Sequence, residues 1–312
     1  MILVAGSANL DFVVQAPRIP APGETVLGHS FQNFPGGKGA NQAVACARAG
    51  GVPTQFLGAF GTDSLAQPIL DSLHSAGVQV QAVRCAEAPT GTAFICVDAH
   101  GENAITVVPG ANALLRPQHL PALAGIRQVL LQLETPVATL QAYAKAARAQ
   151  GVQVVLNAAP ASRDCLPLLS DVDVLIVNEG ELALLSGTTG SIHAQMQSLG
   201  VPTLITTLGA RGCVARTRDG YTLQTAIPVE VKDTTAAGDT FCGALVAALS
   251  EGRPLAVALR FANAAAALAC TREGAQTSIP TRAQVEALLA TASPSSEAAI
   301  QALTAYCGLP HA

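Results

Sequence analysis

Short, mostly apolar runs rich in Val, Ile and Leu alternate along this chain with longer stretches whose apolar residues recur every three or four positions. The runs at 2–5, 55–59, 129–133, 152–156, 174–177 and 203–207 predict strands buried on both faces. The stretches at 42–49, 65–76, 137–149, 192–199, 240–249 and 255–271 predict helices. Gly50-Gly51, Gly77, Gly151 and Gly200 stand where helical stretches end, the position that favours a glycine. Strand–helix alternation of this kind implies an α/β fold with a mostly parallel sheet covered on both faces.

Two stretches break the alternation. Residues 11–34 carry Pro17, Pro20 and Pro22 and short alternating segments, and Pro35 follows. Residues 92–108 read as two strands, 93–97 and 104–108, joined by a hairpin-like turn at 98–102. Together they predict a small antiparallel β-sheet standing off the main domain as a lid. The main domain then comprises 1–10, 35–91 and 109–292, and the lid 11–34 and 92–108. A tail, 293–312, holds one short amphipathic helix at 297–306.

Composition narrows the function classes. With 312 residues, half of them hydrophobic, the chain can bury a large core, which excludes disorder over most of its length. The net charge of −4 and the lack of basic blocks argue against nucleic acid as a partner. A phosphorylated small molecule stays open, since a local field can oppose the net charge. Aromatic residues make up 4% and Trp is absent, so a base-stacking platform is not expected. The eight cysteines are scattered without a C-x-x-C pair, which suits core residues in a reducing, cytoplasmic setting. The N-terminus lacks the basic start of a signal peptide, and the apolar stretch 264–270 is too short to span a bilayer, so no membrane partner is expected.

Three motifs stand where strands end or helices begin. In Gly6-Ser7-Ala8-Asn9-Leu10-Asp11, Asn9 and Asp11 face the same way on an extended chain. An amide and a carboxylate can clamp vicinal hydroxyls, although Asn and Asp also favour plain turns. In Gly36-Gly37-Lys38-Gly39-Ala40-Asn41, glycines before a helix permit close approach of backbone to a ligand. Lys38 is followed by Gly, so this is not a Walker A loop, and the dinucleotide fingerprint fails at Gln42. The alternative is an ordinary turn with Asn41 as N-cap. In Asp233-Thr234-Thr235-Ala236-Ala237-Gly238-Asp239-Thr240, small residues expose N–H groups at a positive helix end, an anion hole suited to a phosphoryl group. Asp239 in the first turn is placed to accept a proton, or merely to cap the helix. Asn178-Glu179-Gly180-Glu181, Thr207–Gly212 and Glu134 are weaker strand-end features.

The ordered set GSANLD, GGKGANQAVA, LLQLETP, NEGE, TLGARG, DTTAAGDTF and TREGAQTSIP resembles the ribokinase-like carbohydrate kinases, the phosphofructokinase-B type, over about residues 2–289. The resemblance implies a ribokinase-like three-layer α/β/α fold with a β lid. It also implies ATP-dependent phosphorylation of the primary hydroxyl of D-ribose. A nucleoside or another pentose is the alternative substrate, and a non-catalytic sugar-binding regulator a more distant reading. Carried over residue by residue, the family pattern makes Asp239 the catalytic base and Ala236, Ala237 and Gly238 the anion hole. Asn9, Asp11, Gly37, Lys38, Asn41, Glu134 and Asp239 itself would bind the sugar. Asn178, Thr207, Leu208, Gly209, Ala210, Arg211, Gly212, Gly238 and Asn263 would border ATP, with Glu181 associated with Mg²⁺. Asp233, Thr235, Ala269, Arg272, Gly274 and Ser278 would hold a monovalent cation, K⁺. Dimerisation through the lid sheet is the further implication.

Overall fold

The computed structural model describes residues 1–310; residues 311 and 312 of the expected tail lie outside the described residues. In chain order the strands and helices are β1 (Ile2–Ala5), β2 (Asn9–Gln15), β3 (Ser30–Gly36), α1 (Lys38–Arg48), β4 (Thr54–Gly61), α2 (Ala66–Ser75) and β5 (Gln79–Cys85). There follow β6 (Gly91–Val97), β7 (Asn103–Val108), β8 (Gln128–Gln132), α3 (Val137–Ala149), β9 (Gln153–Asn157), β10 (Val174–Asn178), α4 (Glu179–Ser186) and α5 (Ile192–Ser198). The last are β11 (Thr203–Thr207), β12 (Cys213–Thr217), β13 (Gly220–Gln224), α6 (Ala237–Ser250), α7 (Leu255–Ala269), α8 (Arg282–Thr291) and α9 (Glu297–Cys307).

The main sheet has nine strands in the order β13-β12-β11-β10-β9-β8-β1-β4-β5. Every pairing from β5 to β11 is parallel, and the β11–β12–β13 edge is antiparallel. β1 shows why the molecule has three layers. All four of its residues are buried, and because side chains alternate along a strand Ile2 and Val4 feed one core while Leu3 and Ala5 feed the other. The first core takes Val44, Leu70, Leu245 and Leu259 from α1, α2, α6 and α7. The second takes Leu140, Leu182, Met196 and Leu303 from α3, α4, α5 and α9. The tail therefore docks, with Leu303, Cys307 and Leu309 buried.

The order of strands reverses at β1. The chain winds outward through β4 and β5 on one side, then restarts at β8 on the other. Such a switch point opens a crevice at the carboxyl ends of the strands, where open α/β sheets bind ligands. A four-stranded sheet, β3-β2-β6-β7, stands over that edge as the expected lid. Its outer pairs are antiparallel and its central β2–β6 pair is parallel. Asp11, Val13, Gln32, Phe34 and Ile95 on one lid face line a cavity of about 420 Å³ shared with the 231–235 and 273–275 loops.

Gly51, Gly77 and Gly151 take the left-handed conformation expected of them (φ 65°, 79° and 70°). Helix α5 instead ends through Leu199 in extended backbone, so Gly200 is not its terminator. All eight cysteines are free, six of them buried. Among the described residues no helix is long and apolar enough to cross a membrane.

Candidate active site

The glycine loop packs chain against chain. Gly37, at φ 87°, is the N-cap residue of α1, and a Cβ there would sit 2.7 Å from the backbone nitrogen of Asn9. A Cβ at Gly39 would sit 2.6 Å from the nitrogen of Ser7. These two glycines bring the start of α1 against the β1–β2 link, which places Lys38 close enough to Asp11 for their charges to interact. Glu134, just past β8, accepts hydrogen bonds at Oε2 from Ser7 Oγ (2.5 Å) and from the Lys38 backbone N–H (3.0 Å). A carboxylate thus already occupies the positive end of α1. Asn41 lies inside α1 and is not its N-cap.

Asn112, fully buried, pins the joint where the chain leaves the main sheet for the lid. Its Oδ1 accepts from the Ala8 N–H (3.0 Å), and its Nδ2 donates to the Ala8 carbonyl (3.2 Å) and to Asn9 Oδ1 (2.8 Å). The amide imitates a neighbouring strand. Asn9 is therefore oriented before any ligand arrives.

Asp239 sits in the first turn of α6 and is only 8% exposed. The N-cap of α6 is Ala236, in the left-handed region at φ 58°, so Asp239 does not cap the helix. Its carboxylate accepts from Asn41 Nδ2 at Oδ2 and from Gln42 Nε2 at Oδ1, both 2.9 Å. Asn41 Oδ1, also buried, has no partner among the described residues. A hydroxyl group donating there would satisfy it.

The electrostatics follow from crowding. Burial pushes Asp11 up to about 7, helped by the charges of Glu134 and Asp239 and opposed by Lys38. Burial alone would lower Lys38, but Asp239, Glu134 and Glu181 outweigh it and hold the ammonium above its ordinary value. The lysine thus stays charged among carboxylates, placed to meet further negative charge.

A second cleft, of about 240 Å³, opens beside this cluster. Lys38, Asn178, Glu181, Thr207, Ala236, Gly238 and Asp239 line it. Unlike the start of α1, the start of α6 is open. Ala237 N–H reaches the Thr234 carbonyl (3.2 Å), while a Cβ built on Gly238 would meet nothing within 4 Å. An N–H left without a partner at a helix start suits an anion; that of Ala237 is already taken, and Gly238 leaves room for a ligand to approach. Asn178 and Glu181 cap α4 reciprocally, each side chain accepting the other's N–H at 2.8 Å. Burial pushes the Glu181 carboxyl above its ordinary range, against the pull of the Asn178 N–H. Among the described residues no cluster of three or more His, Cys, Asp or Glu forms a metal cage. A divalent cation here fits Glu181 only if phosphates and water supply most of its ligands, which is the habit of Mg²⁺.

Leu208 to Gly212 form the turn leaving the cleft, closed by Leu208 N–H to the Gly212 carbonyl (2.7 Å). Arg211 donates to Glu179 and to Tyr306 of α9 and lies over the Tyr306 ring at 4.0 Å. The tail helix therefore braces this turn. Asn263 is buried behind β13, its amide aimed at the Gln224 and Thr225 carbonyls (3.4 Å each).

Of the third group of expected residues, Asp233, Thr235 and Gly274 meet next to the lid cavity, while Ala269, Arg272 and Ser278 do not line it. Asp233 Oδ1 accepts from Thr235 N (2.8 Å) and Oγ1 (2.6 Å), and its Oδ2 accepts from Gly274 N (2.9 Å). Arg272 N–H bonds to the Ala269 carbonyl (3.2 Å), and Ser278 Oγ to the Ala275 carbonyl (2.8 Å). The Asp233 carboxylate is a hard oxygen donor of the kind a hard cation takes, and both of its oxygens already accept hydrogen bonds from Thr235 and Gly274.

Ser7, Gln42, Gln132, Asn157 and Asn112 also belong to the site, although none stands out in the sequence as a site residue. Gln132 carried a signal: it is a polar residue inside an apolar strand, two positions before Glu134 and so on the same face.

The sequence profile of the pfkB family carbohydrate kinases matches residues 1–282. The curated ribokinase of Haemophilus influenzae is 38% identical over 293 residues, covering 90% of this chain and 95% of its own. That of Bacillus subtilis is 39% identical, covering 92% and 99%. Among solved structures, ribokinase from Thermotoga maritima aligns with a TM-score of 0.86 at 36% identity, covering 93% of this chain and 99% of its own. Arabidopsis thaliana ribokinase complexed with ribose and ATP aligns with a TM-score of 0.81 at 35% identity, covering 92% and 98%.

Proposed function

This chain belongs to the pfkB family of carbohydrate kinases, and on that premise we propose that it phosphorylates D-ribose at the primary hydroxyl, giving ribose 5-phosphate and ADP. It is an ATP-dependent sugar kinase. The observation that supports Asp239 as its base is the pair of amide donors holding that buried carboxylate at an otherwise open helix start.

Phosphoryl transfer asks chiefly for positioning and charge stabilisation. Ribose enters beneath the lid, and Asn9, Asp11, Asn41 and Glu134 take its ring hydroxyls, with Gly37 and Lys38 beside them. Asp239 accepts the proton of the primary hydroxyl as its oxygen attacks the γ-phosphorus in line and the bond to ADP breaks. Ala236, Ala237 and Gly238 face the charge that develops on the transferring group, and Lys38 neutralises part of it. ATP lies along Asn178 and Thr207–Gly212, with Asn263 behind its base. Glu181 would hold Mg²⁺ together with the ATP phosphates, and the ion would supply charge neutralisation there. Asp233, Thr235, Ala269, Arg272, Gly274 and Ser278 would hold K⁺. Residues 11–34 and 92–108 close as the lid, and 1–10, 35–91 and 109–292 form the catalytic body. Eight free thiols suit the cytoplasm.

The test is ADP release from Mg-ATP with D-ribose, 2-deoxyribose, adenosine, uridine and fructose 6-phosphate, with and without potassium. Ribose should turn over fastest, and replacing potassium by a large organic cation should slow it several-fold. Turnover on a nucleoside alone would reassign the sugar pocket; ribose binding without any turnover would favour a regulator. Equal rates in all cations would remove the cation assignment.

The dimer expectation has its own support. The lid face away from the cavity carries Phe12 stacked between Phe31 and Phe94 (centroids 6.0 and 5.4 Å), and Phe31 and Phe94 are 61% and 53% exposed. A second copy of this lid would cover them. Phe31→Asp with Phe94→Asp should convert a dimer to a monomer in light scattering; an unchanged mass would place any dimer contact elsewhere.

A further inference from the structure

Four buried amide side chains surround Asp239, and only Asn41 among them has a part in the reading above. Gln42 and Gln132 are fully buried, and Asn157 nearly so. Gln132 Nε2 donates to Gln42 Oε1 (2.7 Å), and Gln42 Nε2 donates to Asp239 Oδ1 and to Asn157 Oδ1 (2.9 Å each). Asn157 Nδ2 in turn reaches the Ile176 carbonyl (3.2 Å). Burying amides in an apolar core is unfavourable unless they are hydrogen-bonded, and an apolar side chain of the same shape would pack there without that cost. The relay therefore calls for an explanation beyond packing.

We infer that Gln42 is a positioning residue for the phosphoryl-transfer base, aligned by Gln132 so that the Asp239 carboxylate keeps one orientation toward the sugar hydroxyl. The inference rests on the reading of Asp239 as the base. The direction of the relay is fixed by its own chemistry. Turning the Gln42 amide over would set its oxygen against the Asp239 carboxylate, which can only accept. The NH₂ of Gln42 therefore faces Asp239. Asn41 and Gln42, neighbours on α1, donate to the two different oxygens of the carboxylate. Held at both oxygens, the group cannot rotate about its Cβ–Cγ bond without losing a charge-assisted hydrogen bond.

The origin of the relay adds a second function. Gln132 ends β8, and Glu134 lies two residues further on. Gln132 is also in register with Asn157 on the neighbouring β9. One strand end thus sets both the sugar-binding carboxylate and, through Gln42, the base. Their separation is fixed by the sheet and does not depend on α6 alone. Reactive geometry that slips by about 1 Å can cost ~10²-fold in rate, which sets the scale of the effect.

The test is steady-state kinetics of Gln42→Leu, which keeps similar volume, and of Gln132→Leu. Gln42→Leu should lower kcat by about 10–100-fold with KM for ribose and ATP within about twofold of wild type. Gln132→Leu should give a smaller fall in kcat of the same kind. In an Asp239→Asn background, residual turnover over long incubations should then change by less than about twofold on adding Gln42→Leu, because a residue that acts through Asp239 has nothing left to position. A wild-type kcat in Gln42→Leu, or an equal loss with and without Asp239, overturns the inference. If Gln42→Leu does not fold by circular dichroism, Gln42→Met and Gln132→Leu are read against the same criteria. An active Asp239→Asn would refute the base assignment itself; an inactive Asp239→Asn beside a fully active Gln42→Leu would refute the relay alone.

Discussion

Asp239→Asn is expected to lower kcat by about 10³-fold or more, within reach of what a positioned base contributes, while the protein stays folded and still binds ribose and ATP. Asn is nearly isosteric, so the start of α6 and the cleft lined by Gly238 and Lys38 keep their shape. What it removes is the anionic acceptor. An amide can keep one of the two bonds from Asn41 and Gln42 but must turn its own NH₂ toward the other donor. The variant should therefore show normal substrate affinity by calorimetry and almost no ADP release. Near-wild-type turnover in a folded Asp239→Asn protein would end the mechanism as written.

Asp11→Asn should cost sugar affinity and raise the stability of the ligand-free protein, and pH separates the two effects. Burial and the nearby Glu134 and Asp239 charges lift the Asp11 carboxyl from 3.8 to about 7. The folded state therefore holds a proton that the unfolded chain releases, and stability falls as pH rises from about 4 through 7. Above that window the wild type carries an unfavourable carboxylate worth about 4 kcal/mol, which Asn does not carry. The melting temperature of Asp11→Asn should exceed that of the wild type at pH 8, with the gap closing as the pH approaches 4. Circular dichroism serves, since the chain has no Trp to follow by fluorescence. Ribose affinity should fall about 10–100-fold, the loss of one or two hydrogen bonds to a charged group. A gap that widens on acidification would contradict the assignment.

The parts of the fold legible in the sequence are those whose physics is local. The strands at 2–5 and 203–207 match β1 and β11 to the residue: β1 is apolar throughout, as a strand buried on both faces must be, and β11 is dominated by β-branched residues, which favour strands. β5 escaped because it lies at the edge of the sheet, with Gln79, Gln81 and Arg84 among its residues. The short β12–β13 hairpin, interrupted by Arg218 and Asp219, escaped for a similar reason. Helix α8 carried a readable start, the Thr281–Gln284 capping box, behind Pro280. The strand-end motifs were legible because each is contiguous in the chain. The relay behind Asp239 was not, because Gln42 and Gln132 lie 90 positions apart and Asn41 and Asp239 lie 198 apart. The glycines at 37 and 39 were legible as close-approach positions, but what approaches is the chain's own β1–β2 link.

The joint that Asn112 pins at Ala8 and Asn9 gives the lid the mechanics of a cantilever. The seven residues of β2 reach about 23 Å from that fulcrum at ~3.3 Å per residue. A rotation of 10° there would carry the far end by about 4 Å but Asp11, two residues out, by only about 1 Å. On the proposed reading, such a swing would admit a sugar while the residues assigned to grip it stay nearly still. The entrance would open at the tip, with alignment kept at the root.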